Sequence, residues 1–304
     1  MMKKPTLTIG LAAYNEGHTI GHLLDDLINQ VSTKYILEKI IIISDGSTDN
    51  TVRAIKKSEF RQITLIRHKT RHGLGPCLNQ IFRLASSDIL ITLDADIRMT
   101  DQKCVERLIA PIATGQADYT TSSIIESQTD SFFAHCIILS MQVKREIYRA
   151  LKSGNNIYTS FGLARAYAYP LYHGLSLPTS IGNDMYTYLF TKSQDYRFAH
   201  VPTAVVRYDI PKNLTDYSLQ SVRFFQAKET MKSQFGDQVS REFQIPLSAY
   251  TKSLVQTTRL IARSPIHALA YALFLLYSYT SSLIKDGKDT WEIASSTKQG
   301  GERV

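Results

Sequence analysis

Cysteine is scarce in this chain. Cys77, Cys104 and Cys136 are three among 304 residues, odd in number and in no metal-ligand spacing. That excludes a disulfide framework and points to a reducing compartment. No long apolar segment follows Met1-Met2-Lys3-Lys4-Pro5, so a secretory leader is not expected. There is no basic tract and no array of arginines interleaved with aromatics, although the net charge is +8. Nucleic acid is therefore not an expected partner, whereas phosphorylated substrates or an anionic membrane surface would suit the charge. Internal repeats, low-complexity segments and an obvious linker are also missing. What remains is ordinary globular composition, 43% hydrophobic and 20% charged, in a chain long enough for one large domain or two.

The first half alternates strand and helix patterns. Strands are expected at Thr6–Ala13, Ile40–Ile43, Ile63–Arg67 and Ile89–Leu93. Helices are expected at Gly17–Val31, Asp49–Lys57 with Ser47 or Thr48 as N-cap, Cys77–Ala85 and Gln102–Ala113. Such alternation predicts an α/β fold with a mostly parallel sheet covered on both faces. Beyond about residue 115 the pattern is less regular, with helices at Phe132–Leu151, Asn183–Lys192 and Leu214–Phe235 and a strand at Tyr196–Arg207.

Ligands of such sheets bind beyond the carboxyl ends of the strands, and the polar groups of this chain collect there. Asp94-Ala95-Asp96 follows the apolar run Ile89–Leu93. Residues alternate sides along a strand, so the two carboxylates face one way. Two hard oxygen donors suit Mg²⁺ or Mn²⁺, which binds through one or two carboxylates plus substrate phosphates. Asp45 ends the second strand, where it can accept hydrogen bonds from a nucleoside, and Gly46 allows a tight turn after it. In Arg71-His72-Gly73-Leu74-Gly75 the glycines permit close backbone approach and Arg71 can contact a phosphate. That loop is not a dinucleotide fingerprint, since it follows the third strand and lacks the last glycine of the motif. His18, His22, His68 and His72 show no zinc spacing and are expected to face solvent or cap helices. Tyr167, Tyr169 and Tyr172 are expected in the core.

Thr8–Glu16, Ser44–Thr51, Gly73–Asn79 and Asp94–Asp96 stand in the order and spacing of family 2 glycosyltransferases, which the chain resembles. The resemblance implies the GT-A nucleotide-sugar-binding fold with a helical C-terminal extension. It implies inverting transfer of a sugar from a UDP-sugar, or another nucleoside diphosphate sugar, to a hydroxyl of a glycan or lipid-linked acceptor. In its terms Asp96 and Asp94 hold the metal, and Ala13, Tyr14, Glu16, Asp45, Arg71 and Asp94 bind the donor. Asp184, after Ile181-Gly182-Asn183, matches the catalytic base, although Asn183 departs from the usual Glu-Asp pair. Gln220 and Arg223 are similar to the Gln-x-x-Arg-Trp motif of polysaccharide synthases, with Phe224 in place of the Trp. They are assigned to the donor diphosphate.

Residues 1–240 are thus expected to form the transferase domain, with 1–115 binding nucleotide and 116–240 binding acceptor. Residues 241–304 form a helical extension. Its stretch Ser264–Ile284 carries no formal charge apart from a possible cation at His267. It can lie in the membrane interface, span the bilayer or pack on the protein. Trp291 and Ser295-Ser296-Thr297-Lys298 resemble the tails of membrane-associated members. The expected location is the cytoplasmic face of a membrane. Two other readings stay open: a nucleotidyltransferase, and a non-catalytic membrane-associated protein with a degenerate transferase fold. The first would show a glycine- and basic-rich triphosphate loop where this chain has Tyr14-Asn15-Glu16-Gly17.

Overall fold

The computed structural model describes residues 3–179 and 182–284. Ile181, Lys285, Trp291 and the Ser295–Lys298 segment lie outside the described residues. The strands are β1 (Thr6–Ala13), β2 (Ile36–Asp45), β3 (Ile63–His68), β4 (Ile89–Asp94), β5 (Arg98–Met99), β6 (Tyr119–Glu126), β7 (Ala164–Ala168) and β8 (Phe198–Tyr208). The helices are α1 (Ile20–Ile28), α2 (Thr51–Lys56), α3 (Leu74–Leu84), α4 (Cys104–Ala113), α5 (Phe132–Ala150), α6 (Tyr169–Gly174), α7 (Asn183–Ser193), α8 (Leu214–Phe235), α9 (Asp237–Glu242), α10 (Leu247–Arg263) and α11 (Pro265–Ile284).

Among the described residues, contacts divide the chain into two compact units, one of residues 3–125, 161–179 and 182–208, the other of 126–160 and 209–284. They cut across the boundary at 240 expected from sequence, because α5 packs on α10 and α11.

The first unit is built on a sheet of order β3-β2-β1-β4-β7-β6-β8-β5. The β3-β2-β1-β4 half is parallel, as the strand–helix alternation predicts. The sheet continues antiparallel through β4–β7 and β6–β7. The sequence reading missed β6 and β7. β6 reads Thr-Thr-Ser-Ser through its middle and β7 is five residues of mostly small side chains, so neither offers an apolar run. Leu7, Ile9, Leu11 and Ala13 of β1, and Ile40–Ile43 of β2, are buried, as central parallel strands require. Tyr167 and Tyr172 are fully buried: the Tyr172 hydroxyl donates to the Ser87 carbonyl at 2.6 Å, and that of Tyr167 lies 3.2 Å from Thr92 Oγ1. Tyr169 is 43% exposed.

The second unit is helical. Ser131 caps α5 and Asn213 caps α8, each through its side-chain oxygen and a backbone N–H three residues on. Within it Lys144 Nζ donates to Tyr271 Oη at 2.7 Å, and Tyr217 Oη lies 2.9 Å from the same oxygen. α11 exposes a stripe of Ile266, Leu269, Leu273 and Leu276, and α10 exposes Leu247, Leu254 and Ile261. These recur at helical spacing on one face. Among the described residues no single helix is long and apolar enough to cross a membrane. The bent pair Asp237–Arg263 and Pro265–Thr280, at 102°, reaches that length and composition only together.

Candidate active site

The loops after β1 and β2 are laced together by short polar side chains. Asn15 takes a left-handed φ of 54°. Its N–H donates to Ser47 Oγ at 3.2 Å, and its Oδ1 accepts from the Thr48 N–H at 2.9 Å. The Glu16 N–H donates to Thr51 Oγ1 at 2.8 Å, and the Gly17 N–H to Asp49 Oδ2 at 2.9 Å. Asp49 also accepts from the Thr51 N–H at 2.9 Å. Burial pushes the Asp49 carboxyl up, but these hydrogen bonds outweigh it and hold it below its ordinary range. This side-chain ladder, rather than Ser47 or Thr48, opens α2, which therefore starts at Thr51. α1 begins only at Ile20 because the Glu16 carbonyl accepts from the N–H groups of Thr19 and Ile20 in a preceding turn.

Asp45, at the tip of β2, is 4% exposed and surrounded by donors. Its carboxylate accepts from the N–H of His72 at 2.9 Å and of Gly73 at 2.8 Å, and lies 2.8 Å from His68 Nδ1. Burial raises its pKa, but hydrogen bonds from His68, His72, Gly73 and Cys77 win and lower it. The 70–73 loop reaches Asp45 because residue 46 is glycine. At φ 71°, a Cβ there would stand 2.7 Å from the Arg71 nitrogen and 2.8 Å from the Thr70 carbonyl carbon. Arg71 then lays its guanidinium 4.4 Å from the centroid of the Tyr14 ring. Ala13, Tyr14, Asp45 and Arg71 thus meet at one edge of the sheet.

Asp94 ends β4, its N–H donating to the Leu163 carbonyl at 2.9 Å. Gly182, at φ 93°, turns the chain into α7, whose first turn carries Asp184. A Cβ on Gly162 would lie 3.6 Å from that of Asp184, so the chain before β7 rests on the aspartate. Asp184 Oδ1 accepts from the Met185 N–H at 2.9 Å. Burial raises the Asp184 pKa, partly offset by that N–H and by Arg165. Burial also raises that of Asp94, and the charges of Asp96, Asp184 and Glu16 add to it while Arg165 opposes them. Glu16 is 6% exposed and accepts from Thr19 Oγ1 at 2.9 Å. Asp94 is therefore under the electrostatic influence of Asp96, Asp184 and Glu16 together. Carboxylates that repel one another in a partly dry site are the donor chemistry of a hard divalent cation, so Asp94 and Asp96 fit Mg²⁺ or Mn²⁺.

Gln220 and Arg223 are not gathered there by anything within the first unit; they lie on α8 of the second. Gln220 is exposed, and Arg223 Nε donates to the Leu219 carbonyl at 3.2 Å. Two features escaped the sequence reading. Arg165 is fully buried within electrostatic reach of Asp94 and Asp184, its Nε and Nη1 without hydrogen-bond partners among the described residues. Its signal was an arginine inside the apolar string Leu163-Ala164-Arg165-Ala166-Tyr167. His68 and His72 do not merely face solvent: with Asp45 they place three metal-type ligand atoms within 4.8 Å of one another.

The parallel half of the sheet thus carries carboxylates at its strand tips, with a braced polar loop beside them. The family model described as glycosyl transferase family 2 matches residues 8–169, and the chain belongs to that family. Over 91 residues the chain is 41% identical to the poly-beta-1,6-N-acetyl-D-glucosamine synthase of Staphylococcus aureus, a match covering 30% of this chain and 21% of that protein. The synthase of the same name from Staphylococcus epidermidis is 36% identical over 95 residues, 30% of this chain and 22% of the relative. The chain thus matches only a minor part of these relatives' length. Among solved structures, the mannosyltransferase of Pyrobaculum calidifontis, in complex with GDP-Man and Mn²⁺, superposes with a TM-score of 0.60 at 20% identity. It covers 92% of this chain and 76% of the other. Glucosyl-3-phosphoglycerate synthase of Mycobacterium tuberculosis, with Mg²⁺ and UDP, gives 0.56 at 21% identity over 76% and 80%. The fold is GT-A.

Proposed function

We propose that this family member transfers a sugar from a UDP-sugar to a hydroxyl of a glycan or lipid-linked acceptor in envelope or exopolysaccharide synthesis, with inversion at the anomeric carbon. The observation that carries the reading is the electrostatic influence of Asp96, Asp184 and Glu16 on Asp94 at the carboxyl end of its strand. An acceptor hydroxyl is a weak nucleophile, and a carboxylate must take its proton as it attacks. Asp184 does this; its raised pKa makes it a better proton acceptor than a solvated aspartate. Asp96 and Asp94 would hold a Mg²⁺ or Mn²⁺ ion, which when bound would supply positive charge for the leaving diphosphate. Ala13, Tyr14 and Glu16 line the nucleoside. Asp45 accepts from the donor N–H of the base, and Arg71 supplies hydrogen bonds and charge to the diphosphate.

The test is UDP release from a panel of UDP-sugars in the presence of solubilised lipid and glycan acceptors. Asp184→Asn is expected to bind donor with wild-type affinity and to release no UDP above background. Wild-type turnover in that variant would remove Asp184 as the base.

The exposed stripes of α10 and α11, beside exposed Lys252, Arg259 and Arg263, support a helical extension lying on the cytoplasmic face of an anionic membrane. The chain is expected to sediment with phosphatidylglycerol vesicles, and Leu269→Asp/Leu273→Asp is expected to stay in the supernatant. Equal sedimentation of both would argue against this surface.

A further inference from the structure

We propose that Asp45, His68 and His72 form a second metal site, for Zn²⁺ or a similar borderline divalent transition metal, separate from the Asp94/Asp96 carboxylates. One ligand atom from each residue lies within 4.8 Å of the other two. Two imidazoles and a carboxylate, with a remaining position for water, are the donor set of open zinc sites. Mg²⁺ prefers oxygen, so the two places sort metals by ligand type. His68 Nδ1 and Asp45 Oδ1 are 2.8 Å apart, a span that two bonds of about 2.1 Å close near a right angle.

Two of the three ligands, His68 and Asp45, are also held from behind. His68 Nε2 lies 2.9 Å from Gln80 Oε1, the outer-shell contact that fixes ring orientation and tautomer in metal sites. A cation that replaces the proton shared between Nδ1 and Asp45 leaves Nε2–H to donate to that oxygen. The Asp45 carboxylate is aimed by the His72 and Gly73 N–H groups. The His68 and His72 rings lie side by side, centroids 4.4 Å apart. His72 is exposed, which leaves an entry path and an open face for water. The backbone that brings His72 to Asp45 depends on Gly46 at φ 71° and Gly73 at φ 97°.

The consequence rests on the transferase reading above. If Asp45 accepts from the nucleoside of the donor, a metal on Asp45 and that nucleoside compete for one carboxylate. Zinc is then an inhibitor acting at the base pocket while Mg²⁺ serves the diphosphate.

The experiment titrates Co²⁺, as a visible-absorbing stand-in, and Zn²⁺ into the full chain. Asp94→Asn/Asp96→Asn is expected to keep one tightly bound ion with Co²⁺ bands of a nitrogen-ligated, low-coordinate site. His72→Ala, a surface change, is expected to bind at least tenfold more weakly with an unchanged unfolding midpoint. Wild-type affinity in His72→Ala, or loss of binding in Asp94→Asn/Asp96→Asn, overturns the site. UDP is then titrated in Mg²⁺ with and without Zn²⁺. Weaker UDP binding with Zn²⁺ in wild type but not in His72→Ala supports competition; unchanged UDP affinity with Zn²⁺ bound overturns it. Failure of UDP to bind in Mg²⁺ alone counts against the transferase reading, and the Co²⁺ titration still decides the metal site.

Discussion

Asp45 and Asp94 end the two strands that flank β1, and they live in opposite surroundings. Asp45 is met by two backbone N–H groups and a histidine, and its carboxyl is held low. Burial, and then the charges of other carboxylates, push the Asp94 carboxyl up. One is a satisfied acceptor that ties the 70–73 loop to the sheet. The other is a charge held in deficit, which costs stability until a cation arrives. Two aspartates at equivalent strand tips thus divide the work of one site between rigidity and chemistry.

The largest expected effect concerns the deficient side. Asp96→Ala is expected to abolish metal-dependent donor binding and to reduce turnover to background; retention of Mn²⁺-dependent UDP binding would break the comparison. Next comes the satisfied side. Asp45→Asn leaves donors poorly matched in a buried place, at a cost of about 1–3 kcal/mol in unfolding free energy at neutral pH. Its folded pKa lies below the unfolded value, so the carboxylate stabilises above about pH 4 and that contribution fades as pH falls through the folded pKa. Denaturant titrations should show the gap between wild type and Asp45→Asn closing below about pH 4. Asp94→Asn has the opposite sign: an acid whose pKa is raised on folding costs stability when ionised, so the metal-free variant is expected to unfold at a higher temperature than wild type. A lower midpoint would mean that Asp94 is as well satisfied as Asp45. Gly46→Ala should destabilise by about 1–3 kcal/mol through left-handed backbone strain, added to its clash with Arg71, and should weaken UDP binding by displacing the loop. The smallest effect is at the surface. Arg98→Gln breaks a bidentate pair with Asp26, but Arg98 is half exposed, and less than about 1 kcal/mol is expected in thermal unfolding.

The legible part of the molecule was its parallel half. β1 matches the expected Thr6–Ala13, where Leu7, Ile9 and Leu11 alternate with small residues between Pro5 and the polar Tyr14-Asn15-Glu16. β2 extends beyond Ile40–Ile43 on both sides, since Ile36–Lys39 alternate exposed and half-buried residues and Ser44-Asp45 carry the tip. α3 starts at Leu74, three residues before the expected Cys77; Pro76 is tolerated in a first turn, where no N–H is needed. β6 and β7 were illegible because their burial is made by polar and small residues against neighbouring strands far away in sequence. The same non-locality hid the site's second layer. Asp94 and Asp96 could be named from local pattern and Asp184 through the family resemblance, but Arg165 and the Asp45–His68–His72 group depend on strand register and on a loop crossing a glycine.

Calorimetric titration of the purified chain with UDP-, GDP- and dTDP-sugars, with and without Mn²⁺, tests the central claim most directly. The account predicts tight binding of a UDP-sugar in Mn²⁺ and its loss on chelation. Equal binding without metal, or no binding to any donor in either condition, would contradict it.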